Sequence, residues 1–271
     1  MWDFEDGGDG WTRANAEGIA PIVAVPTTAG TGSELGRAAV ATDEATGTKK
    51  ILFHPKMLPA VVIADPVLSL GLPPDLTAGT GMDALAHCFE AYCAVGYHPM
   101  AEGIAVEGMR LIKTWLPRAV ANGADIEARA HMLAASGMGA AAFQKGLGAI
   151  HALSHPVSSV YDSHHGRTNG VFFPYVMVFN RDAIGEKCAR LAAWLNLPGR
   201  GFDACLDWIL ELRAGIGIPH RAGALGVTPD RLDSLSRMAA ADPTAAGNPL
   251  PVGVADLRRL YEMALAGRLS V

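Results

Sequence analysis

Hydrophobic and polar positions follow two different patterns along this chain, and the change falls near Pro73. Before Pro73, short apolar runs rich in β-branched residues are bounded by Pro, Gly and Asp, as in "PIVAVP" (21–26) and "AVVIAD" (60–65). Such runs are typical of buried strands. The segments "AAVATD" (38–43) and "KKILFH" (49–54) flank a turn-like "EATG" and predict a β-hairpin.

After Pro73, Ala, Leu, Met and Glu recur at helical spacing and predict packed helices. The clearest segments are 74–94, 99–123, 125–143 and 202–217. The predicted fold class is mainly α, with a helical domain over 73–271. Since a few strands without alternating helices cannot make a doubly wound sheet, we interpret 1–72 as the remnant of a truncated α/β domain.

Composition narrows the functional classes. The net charge is −5 and no run of Lys and Arg forms a basic stripe, which argues against a nucleic-acid partner. Apolar stretches are interrupted by Pro and Asp before the roughly 20 residues of a bilayer span, so no membrane partner is expected. The acidic, Gly-rich start (1–18) does not have the pattern of a secretory signal.

The cysteines indicate the compartment. Cys88, Cys93, Cys188 and Cys205 include no CxxC pair and are too sparse for a disulfide scaffold. We therefore predict buried free thiols. Together with the absence of an export signal, this favours a cytoplasmic protein.

Two histidine-containing pairs have the spacing of half a metal site. Asp83 and His87 lie four residues apart in a predicted helix, and His151 and His155 repeat that spacing. A further pair, His164 and His165, falls in a polar stretch that predicts a loop. Each pair alone is better explained by a hydrogen bond on a helix surface. Together, one carboxylate and several imidazoles on apolar helices suit Zn²⁺ or Fe²⁺ better than Ca²⁺ or Mg²⁺.

Three sequence blocks carry a resemblance to a known family. "AVPTTAGTGSE" (24–34), "GMDALAHCFEAY" (81–92) and "HALSHPVSSVYDSHHG" (151–166) resemble the signature blocks of the iron-containing (group III) alcohol dehydrogenases, which have a dehydroquinate-synthase-like fold. The order and spacing also agree. The resemblance is strong from about residue 20 to 185.

This resemblance implies roles for particular residues. It makes Asp83, His87, His151 and His165 the ligands of a catalytic Fe²⁺ or Zn²⁺ ion. It places His155 beside the metal, for proton relay or substrate orientation, and gives His164 no role, so that a solvent-facing loop position is expected for it.

The resemblance also implies a nicotinamide cofactor, NAD(H) or NADP(H). Its contacts fall on the loop "PTTAGTGSE", at Thr27, Thr28, Gly30, Thr31 and Ser33, and a charge is available at Lys49. Considered alone, the loop is better explained as a simple turn, and Lys49 as a solvated hairpin residue. The family's Gly-Gly-Gly-Ser turn, which belongs to its N-terminal nucleotide-binding domain, does not occur in this sequence.

The resulting hypothesis is a metal-dependent oxidoreductase that transfers a hydride between NAD(P) and a small alcohol, aldehyde or ketone. The alternative is a truncated metal-binding fragment that has no turnover unless a partner chain completes it. A third, non-enzymatic interpretation is a helical interaction domain with incidental histidine pairs. An exposed strand edge in 1–72 would favour a homo-oligomer.

Overall fold

The computed structural model describes residues 8–45 and 48–269, and within them the chain forms nine α-helices and four short β-strands. The strands are β1 (Val23–Ala24), β2 (Ala38–Asp43), β3 (Thr48–Phe53) and β4 (Val61–Val62). The helices are α1 (Pro74–Cys93), α2 (Pro99–Ala121), α3 (Ile126–Ala142), α4 (Ala149–Tyr161), α5 (His165–Phe179), α6 (Arg181–Trp194), α7 (Gly201–Gly215), α8 (Leu232–Ala241) and α9 (Val254–Ala266). The prediction of a mainly α fold is therefore confirmed.

The strands form two small sheets. Strands β2 and β3 pair antiparallel, from Ala38 opposite Phe53 to Asp43 opposite Thr48, which confirms the predicted hairpin. Strands β1 and β4 pair in parallel over two residues each, with Val23 opposite Val61. The apolar runs at 21–26 and 60–65 thus contain strands, although these strands are shorter than the runs.

Helix α1 lies at the centre of the helical region. It begins after Pro73 with a proline in its first turn, where the missing N–H leaves no helical hydrogen bond unmade. From Thr77 to Cys93 nearly every residue is buried, and the helix packs against α2, α3 and α5. A helix with no solvated face has to be surrounded by other elements, so α1 is the axis of this core.

Small residues let the neighbouring helices approach α1 closely. A Cβ atom added to Gly81 would lie 2.2 Å from Leu116 of α2. One added to Gly166 of α5 would lie 2.1 Å from the carbonyl oxygen of Gly79. The Ala- and Gly-rich composition that predicts helices here therefore also determines how near α5 comes to α1.

The remaining helices cover α4 and α5. Helices α6 and α7 pack together, as do α8 and α9, and the buried aromatic residues include Phe172, Phe173 and Tyr175 of α5. Tyr261 of α9 donates a hydrogen bond to the carbonyl oxygen of Leu153 on α4 at 2.7 Å. Burial of each such side chain stabilises the fold by about 1.5–3 kcal/mol, so α4 and α5 are held on several sides.

The cysteines and the apolarity of the helices bear on two predictions made from composition. All four cysteines are buried free thiols, as predicted. In the described ranges, no helix combines the length and the apolarity that crossing a membrane requires.

Candidate metal centre

Three helices bring the predicted carboxylate and imidazoles together in the core. Helix α1 carries Asp83 and His87 on successive turns, α4 carries His151, and α5 begins with His165. Asp83, His87 and His151 are buried, and His165 is partly exposed. Donor atoms of Asp83, His151 and His165 all lie within 4.8 Å of one another.

The distances around Asp83 match those expected around a metal ion. Oδ1 of Asp83 lies 3.4 Å from Nε2 of His165, 3.7 Å from Nε2 of His151 and 3.8 Å from Nε2 of His87. Two ligands about 2.1 Å from one tetrahedral ion are about 3.4 Å apart. The residues present therefore fit a divalent transition metal, both in donor chemistry and in spacing.

His87 differs in detail from the other three residues. It approaches Asp83 but is not a member of the compact three-residue group. Its ring stacks on His151, with the centroids 4.7 Å apart, and its Nδ1 is buried without a hydrogen-bond partner among the described residues. Nε2 is the His87 nitrogen nearest Asp83 and is its candidate ligand atom, so an ion bound there leaves Nδ1 unsatisfied.

Two residues at this site were not predicted from the sequence. Asn169 follows His165 by one helical turn, and its Nδ2 lies 2.8 Å from Oδ1 of Asp83 and 3.2 Å from Nε2 of both His151 and His165. Glu90 lies on α1, and its Oε2 lies 2.6 Å from Nδ1 of His151. The i,i+3 and i,i+4 spacings of Glu90 to His87 and of Asn169 to His165 were the only available signals.

The electrostatics of the metal-free group favour one positively charged imidazole, His151, and two neutral ones at neutral pH. Burial lowers the pKa of His87 to about 4 and that of His165 to about 3, although Asp83 opposes both shifts. Burial also acts to lower the pKa of His151, but its interactions with Asp83 and Glu90 are stronger and raise the pKa to about 9. A metal that binds through Nε2 of His151 therefore has to displace a proton.

Asp83 remains the anion of the group. Burial would raise its pKa, but the surrounding imidazoles of His87, His165 and His151 outweigh burial and hold that pKa well below its ordinary value. The site thus presents one ionised carboxylate and two neutral imidazoles in a buried environment, which suits a divalent cation.

His155 lies at the edge of the group, between the metal-ligand candidates and solvent. Its ring stacks on His165 with the centroids 5.1 Å apart, and its side chain is 31% exposed. Nδ1 of His155 lies 2.7 Å from Oδ2 of Asp242, a residue that the sequence interpretation missed. Because a carboxylate only accepts hydrogen bonds, Nδ1 is the donor to Asp242, and in the neutral tautomer with this bond Nε2 is the free nitrogen.

The expected loop at His164 and His165 is wrong in part. His165 is the first residue of α5, and Nδ1 of His164 accepts a hydrogen bond from the Arg167 amide as the N-cap. The solvent-facing position expected for His164 is found only in part, because the residue is half-buried and its ring lies beside Gly79 of α1, where a Cβ would come within 2.7 Å of it. Histidine is an uncommon capping residue, so this helix start has a weak sequence signal.

The predicted cofactor loop packs on the same helices. Thr27, Thr28, Thr31 and Ser33 are exposed, and Gly30 is buried. A Cβ on Gly30 would lie 3.0 Å from the Thr80 carbonyl oxygen of α1, and the Gly30 backbone contributes to the electrostatics of His87. Gly32 adopts a positive φ of 61°, and a Cβ there would lie 2.5 Å from the Ser136 carbonyl oxygen of α3, so this position requires glycine.

Lys49 belongs to β3, but its side chain lies outside the described residues. The structure thus brings Gly30 next to the α1 metal-site helix and leaves four hydroxyl side chains of the loop facing outward. Their contacts with a nicotinamide cofactor stay a prediction.

Comparison with known families gives matches over most of the chain. Residues 77–265 match the Fe-containing alcohol dehydrogenase family, C-terminal, and residues 1–66 match Iron-containing alcohol dehydrogenase. These two matches cover both the strand segment and the helices that carry the candidate metal centre.

Individual relatives agree with this result. The chain is 39% identical to 4-hydroxybutyrate dehydrogenase of Cupriavidus necator, over 95% of this chain and 69% of the relative. It is 39% identical to NAD-dependent methanol dehydrogenase of Bacillus methanolicus, over 91% of this chain and 67% of the relative. The crystal structure of sulfoacetaldehyde reductase from Bifidobacterium kashiwanohense in complex with NAD⁺ superposes with a TM-score of 0.87 at 30% identity, covering 97% of this chain and 68% of the other. The chain thus spans about two thirds of the length of each.

Proposed function

The chain belongs to the iron-containing alcohol dehydrogenase family, and on that premise we propose that it takes part in hydride transfer between NAD(P) and a small alcohol or aldehyde. The observation that carries the proposal is the buried group of one carboxylate and three imidazoles on α1, α4 and α5. We assign Asp83, His87, His151 and His165 as ligands of Fe²⁺ or Zn²⁺. When bound, such an ion supplies Lewis acidity toward the oxygen of the substrate.

The protein around the group then has two tasks, which are to exclude bulk water and to move a proton. Helices α1, α4 and α5 keep bulk water away from Asp83 and His151, since both are at least nine-tenths buried. His155 is the group that moves the proton. Asp242 accepts the hydrogen bond from its Nδ1, so Nε2 is free to take a proton from the alcohol oxygen and pass it to solvent.

The loop from Thr27 to Ser33 is our candidate for one wall of the cofactor site. It offers hydroxyl groups and backbone amides to a dinucleotide, and small residues permit a phosphate to approach closely. Its contact with α1 at Gly30 and Thr80 would hold the nicotinamide near His87. NAD is supported over NADP by the names of two relatives, an NAD-dependent methanol dehydrogenase and a reductase complex with NAD⁺.

The substrate class follows from the relatives at a coarse level. They are named for 4-hydroxybutyrate, methanol and sulfoacetaldehyde, which share a short chain with a terminal alcohol or aldehyde. We therefore propose a short primary alcohol or the corresponding aldehyde, and a homo-oligomer in the cytoplasm as further expectations.

The test combines metal content, cofactor binding and turnover in one preparation. The chain is loaded with Fe²⁺ or Zn²⁺, titrated with NADH by fluorescence, and then given a panel of short aldehydes while absorbance at 340 nm is followed. His151→Ala should reduce metal content from about one ion per chain to near zero, because it removes the most buried imidazole of the group. His131→Ala is the matched control, since its ring stacks on Trp115 away from the group. Full metal content in His151→Ala would refute the ligand assignment.

The second candidate function is metal binding without turnover unless a partner chain completes the cofactor site. It is favoured by one observation: apolar strand residues such as Val23, Val61 and Ile63 are about half exposed in the strand segment. Metal uptake with no saturable NADH binding by the chain alone would favour this candidate. Turnover by the chain alone would exclude it.

A further inference from the structure

We propose that Glu90 is a positioning residue of the metal centre, holding His151 in the orientation and tautomer that bind the ion. This inference rests on the proposed function, because it concerns the same site. Glu90 is itself no ligand candidate, since its carboxylate lies on the far side of the His151 ring from Asp83. It acts through Nδ1, and the metal side of the ring is Nε2.

Both oxygens of the Glu90 carboxylate have a defined partner on α4. Oε2 lies 2.6 Å from Nδ1 of His151, and Oε1 accepts the backbone N–H of Ile150 at 2.7 Å. An ionised carboxylate only accepts hydrogen bonds, so Nδ1 of His151 has to be the donor. In the neutral ring this leaves the lone pair on Nε2, the nitrogen that faces Asp83.

The same carboxylate caps the start of α4. The N-cap residue is Gly148, which has no side chain to satisfy the first amides of the helix. The amide of Ala149 is instead bound by Oδ1 of Asn248 at 3.2 Å, and the amide of Ile150 by Glu90. A Cβ on Gly148 would lie 3.0 Å from both acceptor atoms, so glycine leaves the room that this arrangement uses.

Glu90 therefore determines two quantities at once: the position of the first turn of α4, and the rotation and tautomer of the ring one residue further along. A carboxylate behind a metal-bound imidazole is a recognised means of orienting the ring and strengthening its donor nitrogen. Burial excludes water from the pair, since Glu90 is 5% exposed and His151 is 1% exposed. No other described side chain hydrogen-bonds to Nδ1 of His151.

The isosteric variant Glu90→Gln separates positioning from packing. If its amide oxygen accepts the Ile150 N–H, its NH₂ group faces Nδ1 and selects the tautomer with hydrogen on Nε2. If the amide is flipped, the NH₂ group faces the Ile150 N–H and the cap is lost. In both cases the variant keeps its volume. The first orientation removes the free Nε2, and the second keeps it but loses the cap that sets the position of the ring.

The experiment measures the Zn²⁺ dissociation constant of the full chain by competition with a chelator. We expect Glu90→Gln to weaken Zn²⁺ binding by about 10–100-fold, and Glu90→Asp, which keeps the charge, to recover part of the loss. In the Zn²⁺-loaded wild type, the Nδ1 proton of His151 should give a slowly exchanging downfield NMR signal. That signal should be lost or shifted upfield in Glu90→Gln.

The control variant Asn248→Ala removes the other cap of α4 without touching the imidazole. It should lower the melting temperature and leave the Zn²⁺ dissociation constant and the Nδ1 signal nearly unchanged. Wild-type affinity in Glu90→Gln, or an equal loss of affinity in Asn248→Ala, would overturn the inference and leave the proposed function standing. A wild-type chain that takes up no Zn²⁺ would overturn both.

Discussion

The helical region and the strand segment differ in how far their apolar side chains are buried. In α1, Met82, Leu85 and Ala86 have no exposed surface. In the strand segment, Val23 is 58% exposed and Val61 is 51% exposed, although both are apolar and lie in a parallel pair. Parallel strands are normally covered on both faces, so this pair has the composition of a sheet interior and the environment of a surface.

This difference shows how firmly the residues of the candidate metal centre are held. Every ligand candidate lies on a helix that is packed from several sides, whereas the proposed cofactor loop lies between β1 and β2 in the strand segment. Rigid elements hold a site more precisely than loops do. The candidate metal ligands are therefore held more firmly than the proposed cofactor loop, which lies in the less covered region.

The largest expected effect is the loss of stability caused by a bulkier residue where α5 packs on α1. In Gly166→Ala the new methyl group would lie 2.1 Å from the Gly79 carbonyl oxygen and 2.9 Å from Cβ of Asp83. Because this backbone cannot move without displacing α1, we expect a loss of about 4 kcal/mol or more of unfolding free energy. Urea titration of the metal-free chain measures it.

The matched control for Gly166→Ala is Gly185→Ala on α6. Nothing lies within 4 Å of a Cβ at that position, and alanine favours the helix. We expect unchanged stability or a gain of up to about 1 kcal/mol. Equal effects in the two variants would show that close packing on α1 does not control the helical region.

A smaller loss of unfolding free energy is expected when the metal-free chain is acidified. His87 and His165 have folded-state pKa values of about 4 and about 3, below the roughly 6.5 of an exposed imidazole. The unfolded chain therefore takes up protons first as the pH falls below 6.5, and stability declines toward the folded-state values. For His87 alone, the loss between pH 6.5 and 4.5 is roughly 2 kcal/mol.

His151 acts in the opposite direction. Its raised pKa of about 9 contributes stability that is fully present below pH 6.5 and is lost as the pH rises through 9. Denaturation of the metal-free chain at a series of pH values should therefore give a maximum near pH 6.5, and His87→Gln should flatten the acid side. A profile that rises steadily toward pH 4.5 would contradict these assignments.

The smallest expected effect lies in the strand region. Val61→Thr keeps the β-branched shape and removes an exposed apolar group, so the free energy of unfolding should change by less than about 0.5 kcal/mol. Leu85→Ala in α1 should cost about 2–5 kcal/mol. Light scattering should also show less self-association in Val61→Thr, because an exposed apolar strand favours pairing with another chain. A large loss of stability in Val61→Thr would remove the contrast between the two regions.

Much of the fold was predictable from sequence because periodicity is a local property. The hairpin β2–β3 and helices α1, α2, α3 and α7 were predicted, and Asp83 and His87 share one helical face as their spacing requires. Glu90, Asn169 and Asp242 were missed, because each acts on a residue of another element. The register between α1 and α4 that joins Glu90 to His151 is a tertiary property, and no spacing along one helix contains it.

The candidate ligands lie on three helices, so the order in which these helices assemble decides when the site forms. The hydrogen bond between Asp83 and Asn169 joins residues 86 positions apart in sequence. Such long-range contacts form late, because closing a long loop costs entropy before any contact compensates for it. The candidate ligands therefore come together only after α1, α4 and α5 have assembled, and an ion bound by them would draw the folding equilibrium toward the native state by mass action.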